Sequence, residues 1–413
     1  MKVQDMRHPF RAFACQQQRR NLRGPVKIAF AFSALLVPFQ GAAAQSDEGE
    51  DASDTVTIEG EYVFDLVGVA QGSQAGLRHV DLLTLTGTVD LDRAAGWRGA
   101  HIVGELIAGT GGQPNLLAGT LQGINNAEVT ANRVKLYQLY LTQELAALPM
   151  ELRAGFIDLN AHFYATDAAG LLIAPAFGIG SELAATGPNG PAIFPSTALS
   201  VMLHAEPVRG TYVAGAIVNA EAGVLGDRHG VSAMFEQGAL LIAEAGLVRS
   251  GKLALGTWGY TRRQDDVRLA DAAGRPLRRR ARGGYVLAEM PITRSAALFA
   301  RAGVSDGDTT PYSGGWQAGL LASSLVKGRP HSQLSLGINQ AFLTGKFRSN
   351  EADAGIARRS RETGFEVTYA DRLAPWLTVQ GDAQYVRTTQ TSPGARDAII
   401  VGLRLIVSGA AGW

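Results

Sequence analysis

The chain carries a set of charged, amide and aromatic side chains whose shared chemistry is hydrogen bonding and ring contact with a polar solute. Carboxylate, guanidinium and amide groups donate to or accept from hydroxyl groups, and an aromatic ring offers an apolar face. The candidates are Glu105, Glu144, Arg153, Asp158, His162, Glu182, Glu206, Asn219 and Trp258, with Tyr137 and Tyr164 as further aromatic groups. For each residue taken alone, the alternative interpretation is that its side chain is simply solvated or is a partner in an ion pair.

Covalent and metal chemistry find no support in the motifs. The segment from Gly246 to Leu253 nearly spells a phosphate-binding loop, but Leu253 stands where Ser or Thr should hold magnesium. The acidic pair of residues 306–308 lacks the remaining ligand spacing of a calcium loop, and the histidines are dispersed without metal-ligand spacing. Covalent catalysis would need a nucleophile with a base in reach, and no local signature supplies one. We predict no metal and no cofactor.

The elements that position these residues are short segments of alternating apolar and polar character. From Leu377 to Tyr385 the odd positions are apolar or small, except for the Tyr hydroxyl, and the even ones polar, which puts the two sets on opposite faces of a strand. Sixteen such segments are centred near residues 64, 86, 103, 139, 154, 202, 216, 244, 258, 288, 300, 319, 337, 366, 381 and 403. Segments of this length and period are the signature of a transmembrane β-barrel.

The gaps between the segments alternate between short and long. Short gaps follow even segments, at residues 93–96, 146–149, 207–210, 249–251, 293–295, 327–330 and 371–375. Long gaps follow most odd segments, at residues 110–131, 160–196, 220–237, 264–281 and 344–361. Outer-membrane barrels place short turns in the periplasm and long loops outside. We therefore predict an all-β, antiparallel barrel of about 16 strands with both termini in the periplasm.

The N-terminal region predicts export. Basic residues precede an apolar run at 28–39, and Ala42 to Ala44 provide small residues for cleavage, which is the order of a signal peptide. Met6 is an alternative start. We divide the chain into a signal peptide (1–44), an acidic periplasmic tail (45–59) and the barrel (60–413). The only cysteine, Cys15, falls in the leader.

Without that leader, 31 basic residues face 36 acidic ones, a net charge of −5, which argues against a nucleic-acid partner. The arginines at 275, 278, 279, 280 and 282 form the strongest basic cluster. We place this cluster in an external loop. Three roles are open: it binds the phosphates of lipopolysaccharide, it attracts anions to the mouth of the barrel, or it is merely solvated. Outer-membrane lipid and the barrel assembly machinery are the other expected partners.

Several stretches resemble one known family. The runs 136–143 and 153–160, the stretch 162–172, and the segments 177–183 and 194–199 resemble the carbohydrate-selective porin family of OprB type. The resemblance extends roughly over residues 60–407. It implies an outer-membrane pore of a Gram-negative bacterium that lets glucose or related sugars diffuse into the periplasm. A general diffusion porin and, less so, a barrel enzyme remain alternatives, and the sequence leaves monomer and homotrimer open.

The longest loop, residues 160–196, is unusually apolar and contains four prolines. Long loops in compact domains are usually functional, and an apolar one must pack against something, so we expect it to fold inward and narrow the pore. The alternative is packing on itself or on a neighbouring subunit. Aromatic residues near strand ends are assigned to the interfacial girdles: Trp97, Tyr212, Tyr285, Trp316, Tyr369 and Trp376. A last strand from about residue 399 to Trp413 is also predicted.

Overall fold

The computed structural model describes residues 54–145, 149–391 and 393–413, so the predicted signal peptide lies outside the described residues. Within this part of the chain, no helix is long and apolar enough to cross a membrane. Eighteen strands are present among the described residues: β1 (Val56–Gln71), β2 (Gly76–Asp90), β3 (Ala100–Gly111), β4 (Arg133–Leu145), β5 (Met150–Ile157), β6 (Ala198–Ala205), β7 (Thr211–Asn219), β8 (Ala239–Val248), β9 (Lys252–Tyr260), β10 (Gln264–Ala270), β11 (Pro276–Arg279), β12 (Arg282–Thr293), β13 (Ala296–Ser305), β14 (Tyr312–Ser323), β15 (Gln333–Leu343), β16 (Arg361–Ala374), β17 (Leu377–Arg387) and β18 (Ala398–Gly412).

Sixteen of these strands form one closed antiparallel barrel, in which each strand pairs with its neighbour in the chain and β18 returns to pair with β1. The remaining two, β10 and β11, form a separate hairpin between β9 and β12. Closure leaves no strand edge unpaired, which a spanning sheet needs because lipid offers its backbone no hydrogen bonds. The predicted 16-stranded barrel is confirmed, and every predicted segment centre falls inside an observed strand.

Short helices occupy the connections. They are α1 (Leu91–Ala95), α2 (Pro114–Ala118), α3 (Ser181–Ala184) and α4 (Gly345–Asp353). Asp90 caps α1 by accepting from the backbone amides of Asp92 and Arg93, and this helix forms the tight connection between β2 and β3. The sequence patterns predicted turns or loops here, because these helices are too short to show a helical period.

The barrel begins and ends slightly away from the predicted positions. β1 starts at Val56, so the tail predicted to reach residue 59 gives way to strand four residues earlier. The last strand spans Ala398–Gly412 rather than 399–413. Trp413 still takes part in closure, because its carbonyl accepts from the amides of Thr55 and Val56 and its own amide donates to Val56.

Candidate functional site

The barrel wall has one apolar face and one polar face. On β16, Phe365, Val367 and Tyr369 are exposed, whereas Glu362 and Glu366 on the opposite face are buried. Cross-strand pairing carries the two faces from strand to strand, since Glu366 lies opposite Gly337 on β15 and Gln384 on β17. In an outer-membrane barrel the apolar face meets lipid and the polar face lines the lumen. Inward-facing residues can therefore be assigned on every strand.

The connection between β5 and β6, residues 158–197, is called the lumen loop here. β5 and β6 are only 8 residues long, and their pairing runs from Met150↔Ala205 to Ile157↔Ala198, whereas β1 and β2 have 16 and 15 residues. The loop therefore leaves the wall well below the height that longer strands reach. It is built from three 3-10 turns, at Leu159–Ala161, Asp167–Ala169 and Pro175–Phe177, followed by α3.

The apolar side chains of the lumen loop pack against inward-facing residues of the barrel. Phe177 meets Phe299 of β13 edge to face, with ring centroids 6.2 Å apart. The approach to β15 is closer still, because a Cβ at Gly337 would come within 2.5 Å of the Phe177 ring. Only glycine tolerates that contact. The apolar composition of the loop is thus accounted for by packing inside the barrel.

Polar side chains of distant strands bind the backbone of the lumen loop. The bonds are Lys252 Nζ to Ala165 O (3.0 Å), Ala168 N to Glu289 (2.9 Å), Gln380 Nε2 to Leu171 O (2.7 Å) and Ala174 N to Glu366 (2.9 Å). The wall residues belong to β9, β12, β17 and β16. In the order of strands around the barrel, β16 and β17 lie nearly opposite β5 and β6, so the loop crosses the interior.

A second connection, the β3–β4 loop of residues 112–132, also reaches inward. Glu362 of β16 accepts from the backbone amides of Leu121 and Gln122 at 2.9 Å each. The two loops bind each other, because the amide of Asn126 donates to Ile173 O at 2.9 Å. This contribution of the β3–β4 loop was not predicted from the sequence. Its available signal was the length of the loop, which exceeds the usual limit for a structureless connection.

The β3–β4 loop also covers an ion pair between the first and last strands. Arg404 of β18 donates through two nitrogens to Asp65 of β1, both at 2.7 Å. Asn125 of the loop donates to the same carboxylate at 2.6 Å, and Arg404 donates to Asn126 at 2.8 Å. Both charges are buried. The hydrogen bonds with Asn125 and Asn126 satisfy positions on the carboxylate and the guanidinium that the ion pair alone leaves without a partner. The loop is therefore fixed where β18 pairs with β1 and closes the barrel.

Inward-facing residues on β1 to β5 remain in contact with solvent, and this set is called the open wall. Its members include Glu59, Glu61, Arg78, Thr84, Thr86, Glu105, Gln138, Tyr140, Glu144, Glu151 and Arg153. Each is exposed or half-buried, whereas inward residues such as Glu244, Arg301 and Glu366 are buried. The solvent-accessible passage therefore follows β1 to β5, with the two loops on its other side.

Four of the predicted site residues come together at the open wall. Glu105 accepts from Gln138 Nε2 at 2.9 Å, and Gln138 Oε1 accepts from the amide of Asp158 at 2.9 Å. Arg153 forms an ion pair with Glu151, and its Nη1 lies 2.7 Å from His162 Nε2. Carboxylate, amide, guanidinium and imidazole groups thus line one passage, where they can bind hydroxyl groups.

Two of these groups, at the root of the lumen loop, have shifted pKa values. Burial, followed by the positive charge of Arg153 and the His204 ring, lowers the pKa of His162 to about 3. The imidazole is therefore neutral at ordinary pH and accepts from Arg153. Burial also raises the pKa of Asp158, against the bonds it accepts from the Tyr137 hydroxyl and the Asn160 amide.

Four of the other five predicted site residues lie elsewhere. Glu182 and Asn219 are buried in packing contacts, and Asn219 holds the β7–β8 connection by donating to Met234 O at 2.8 Å. Trp258 faces inward but is covered, with 3% of its surface exposed, and Glu206 lies beyond β6 in an exposed turn. The fifth, Glu144, faces inward at the exposed end of β4 opposite Glu151 and belongs to the open wall.

The girdle assignment of Tyr212 and Tyr285 is wrong. Both rings face inward and are buried, and their hydroxyls donate to the two oxygens of Glu244, at 2.5 and 2.6 Å. A buried tyrosine hydroxyl needs a hydrogen-bond partner, and the Glu244 carboxylate supplies one for each ring. Trp97, Tyr369 and Trp376 are exposed, as the girdle prediction requires.

The basic cluster of the external connection is largely paired. In the β10–β11 hairpin, Arg275 pairs with Asp271, Arg278 with Asp265 and Arg279 with Asp266. Lys346 of α4 joins Asp266 to Asp308 of the β13–β14 connection. Bonds from backbone amides and Lys346 lower the pKa of Asp266 although burial opposes them. In the described part of the chain, no group of three or more His, Cys, Asp or Glu residues could hold a metal ion.

A closed 16-stranded barrel with a polar interior and an apolar exterior defines the class of outer-membrane porins. Residues 74–408 match the family model described as carbohydrate-selective porin, OprB family. The match covers most of the chain, which therefore belongs to this family and is an outer-membrane porin of Gram-negative type. The comparison with curated protein sequences gave no significant match.

Solved structures share the fold. OprB of Pseudomonas putida in its high-pH structure superposes with a TM-score of 0.75 at 18% identity, covering 86% of this chain and 94% of that one. The low-pH structure of the same protein gives 0.53 at 15% identity, covering 86% and 92%. The outer-membrane channel DcaP of Acinetobacter baumannii gives 0.54 at 11%, covering 89% and 99%. At these identities the likeness concerns the fold.

Proposed function

We propose that this porin passes glucose or related sugars into the periplasm through a lumen narrowed by the lumen loop and the β3–β4 loop. The observation that carries the proposal is the contrast between the walls. On β9, β12, β16 and β17, inward polar groups are consumed by bonds to the two loops, whereas the groups of the open wall remain accessible. A wide barrel is thereby reduced to a passage along one side.

We assign Glu105, Arg153, Asp158 and His162 as the substrate-binding residues of this passage, and we add Tyr140. Tyr140 faces inward and is half-buried between the strands of Glu105 and Arg153. Carboxylate and guanidinium groups bind neighbouring sugar hydroxyls, and an aromatic face packs against the C–H groups of the ring. Binding should be weak enough for release, since a pore must let its solute leave. We assign the protein no enzymatic activity. A sugar that occupies the passage should block ion current in a saturable way.

We further propose lipopolysaccharide, the barrel assembly machinery and a homotrimer as partners. For the trimer, support comes from β5 to β9, which are 8 to 10 residues long and sit at or below the usual spanning length of ~9–11. Their exposed outward residues are aliphatic, as Val201, Ile217 and Leu241 illustrate. The exposed Tyr and Trp occur on β1, β16 and β17, in the β2–β3 and β16–β17 connections and after β18. The adjacent β7–β8 connection exposes Leu225 and Met234.

The oligomer is tested by introducing a cysteine at Ile217 and crosslinking the protein in outer membranes. Crosslinked species containing more than one copy are expected. A matched cysteine at Val367, which faces outward on β16, should give monomer. Equal crosslinking at both positions, or none at Ile217, contradicts this partner assignment.

A further inference from the structure

Arg301 of β13 binds the lumen loop at two separate places. Its Nη1 donates to Tyr164 O at 2.9 Å and to Gly178 O at 2.8 Å, and its Nη2 donates to the carbonyls of Phe177 and Ala176. The side chain is 3% exposed. One buried guanidinium thus joins the first half of the loop to the turn before α3, using the fixed fork of donors that only arginine provides.

Tyr164 is the residue on which these contacts converge. Its φ of +60° lies in the left-handed region, which a bulky side chain adopts only where its surroundings impose it. The amide donates to Glu244 at 3.0 Å, the hydroxyl donates to Glu182 at 2.9 Å, and the ring stacks on Tyr285 with centroids 4.0 Å apart. With Arg301 on its carbonyl, every polar group of this buried residue is fixed.

Glu182 completes the arrangement from the second half of the loop. It is fully buried, and its carboxylate lies against the wall at Gly303, where a Cβ would come within 1.9 Å of Oε1. Burial raises the pKa of Glu182, while its own backbone amide, the Tyr164 hydroxyl and the Arg301 charge lower it. Gly303 is therefore a position where the loop touches the strand too closely for any other residue.

The connection to the open wall is short. His162 lies two residues before Tyr164 and contacts Arg153 of β5 directly. A backbone held at both the amide and the carbonyl of Tyr164 cannot shift without moving His162. The path from the covered strand β13 to the sugar-facing side therefore runs from Arg301 through Tyr164 and His162 to Arg153.

We propose that Arg301 is the positioning residue of the pore: it contacts no sugar, but by clamping Tyr164 and the 176–178 carbonyls it sets the width of the passage and the placement of His162 beside Arg153. This inference rests on the proposed function for its effect on sugar discrimination. Its effect on the width of the passage is independent of which solute passes.

The test compares assembled, heat-modifiable channels of Arg301→Met, Arg301→Lys and the control Arg294→Met, which removes an exposed arginine from the turn before β13. Arg301→Met should raise single-channel conductance at least twofold and raise the half-blocking glucose concentration at least tenfold. Arg301→Lys keeps the charge but loses the fork of guanidinium donors. Its conductance and its half-blocking glucose concentration should therefore fall between those of Arg301→Met and wild type. Arg294→Met should match wild type.

A cysteine at Ala161, which is exposed on the lumen loop, reports the position of the loop directly. A charged thiol reagent should reduce current in the otherwise wild-type channel, and this reduction should fall by half or more in the Arg301→Met background. A residue with a merely structural role would lower the amount of assembled barrel and leave assembled channels unchanged.

Wild-type conductance and wild-type thiol block in assembled Arg301→Met channels would overturn the proposal. If Arg301→Met does not assemble, the same readouts on Arg301→Lys decide, and wild-type values there overturn it. Absence of glucose block in the wild-type channel would instead refute the proposed function, while conductance and thiol block would still decide the role of Arg301.

Discussion

Deletion of residues 169–190 from the lumen loop should raise single-channel conductance several-fold and abolish block by sugar. The deleted segment includes the carbonyls of residues 176–178 that Arg301 binds and the amides that Glu366 binds, together with the Phe177 ring that fills the space before Gly337. Without it, the interior of a 16-stranded barrel is too wide for side chains to fill. Conductance of purified channels in planar bilayers measures the effect.

The matched control is a deletion in the β10–β11 hairpin, at residues 267–277, which lies outside the barrel sheet. It should leave conductance within about a factor of two. If removal of residues 169–190 leaves conductance unchanged, the lumen loop does not restrict the passage.

Neutralising the carboxylates of the open wall should shift ion selectivity towards anions. Glu59, Glu61 and Glu105 have no ion-pair partner within 4.0 Å among the described residues. The carboxylates of the open wall outnumber its two arginines, Arg78 and Arg153, and Arg153 is paired with Glu151. The wild-type channel should therefore prefer cations, since a passage lined by one sign of charge concentrates the opposite ion. The triple change of the three glutamates to Gln should lower the potassium-to-chloride permeability ratio about threefold or more.

Arg153→Ala should move the reversal potential the other way, because it leaves Glu151 uncompensated. The control is Asp92→Asn, since Asp92 is exposed in α1 outside the strands, and it should leave the reversal potential unchanged. Measurement in a salt gradient at low ionic strength gives the largest signal, because screening shortens the range of these charges at high salt. If the triple variant keeps the wild-type reversal potential, ions do not pass along the open wall.

The barrel could be read from the sequence because each strand must separate lipid from water. That requirement gives residues such as Val379 and Asp382 opposite faces. The alternation of lipid-facing apolar and lumen-facing polar residues fails where the lumen is filled by protein instead of water. Tyr212 and Tyr285 sit on the inward face under the lumen loop, where a buried Glu244 satisfies them, and no local pattern reveals a partner so distant in the chain.

The site could be predicted in part. Arg153, Asp158 and His162 were found because they lie on the strand before the long apolar loop or at its start, and Glu105 because its parity on β3 faces inward. Arg301 was missed because its role depends on backbone carbonyls that only the folded loop brings to β13. Trp258 was misjudged for the same reason, since the residues that cover it come from remote segments.

Titration of the single-channel current with glucose shows whether the passage binds sugar. A passage narrowed by two loops and lined by the open wall should bind sugar, so added glucose should reduce ion current along a saturable curve. A non-metabolised polymer of larger size should block less, as it cannot enter. If the ion current stays constant as the glucose concentration rises, while the sugar still crosses the membrane, the passage has no sugar-binding site and the protein is a non-selective diffusion pore.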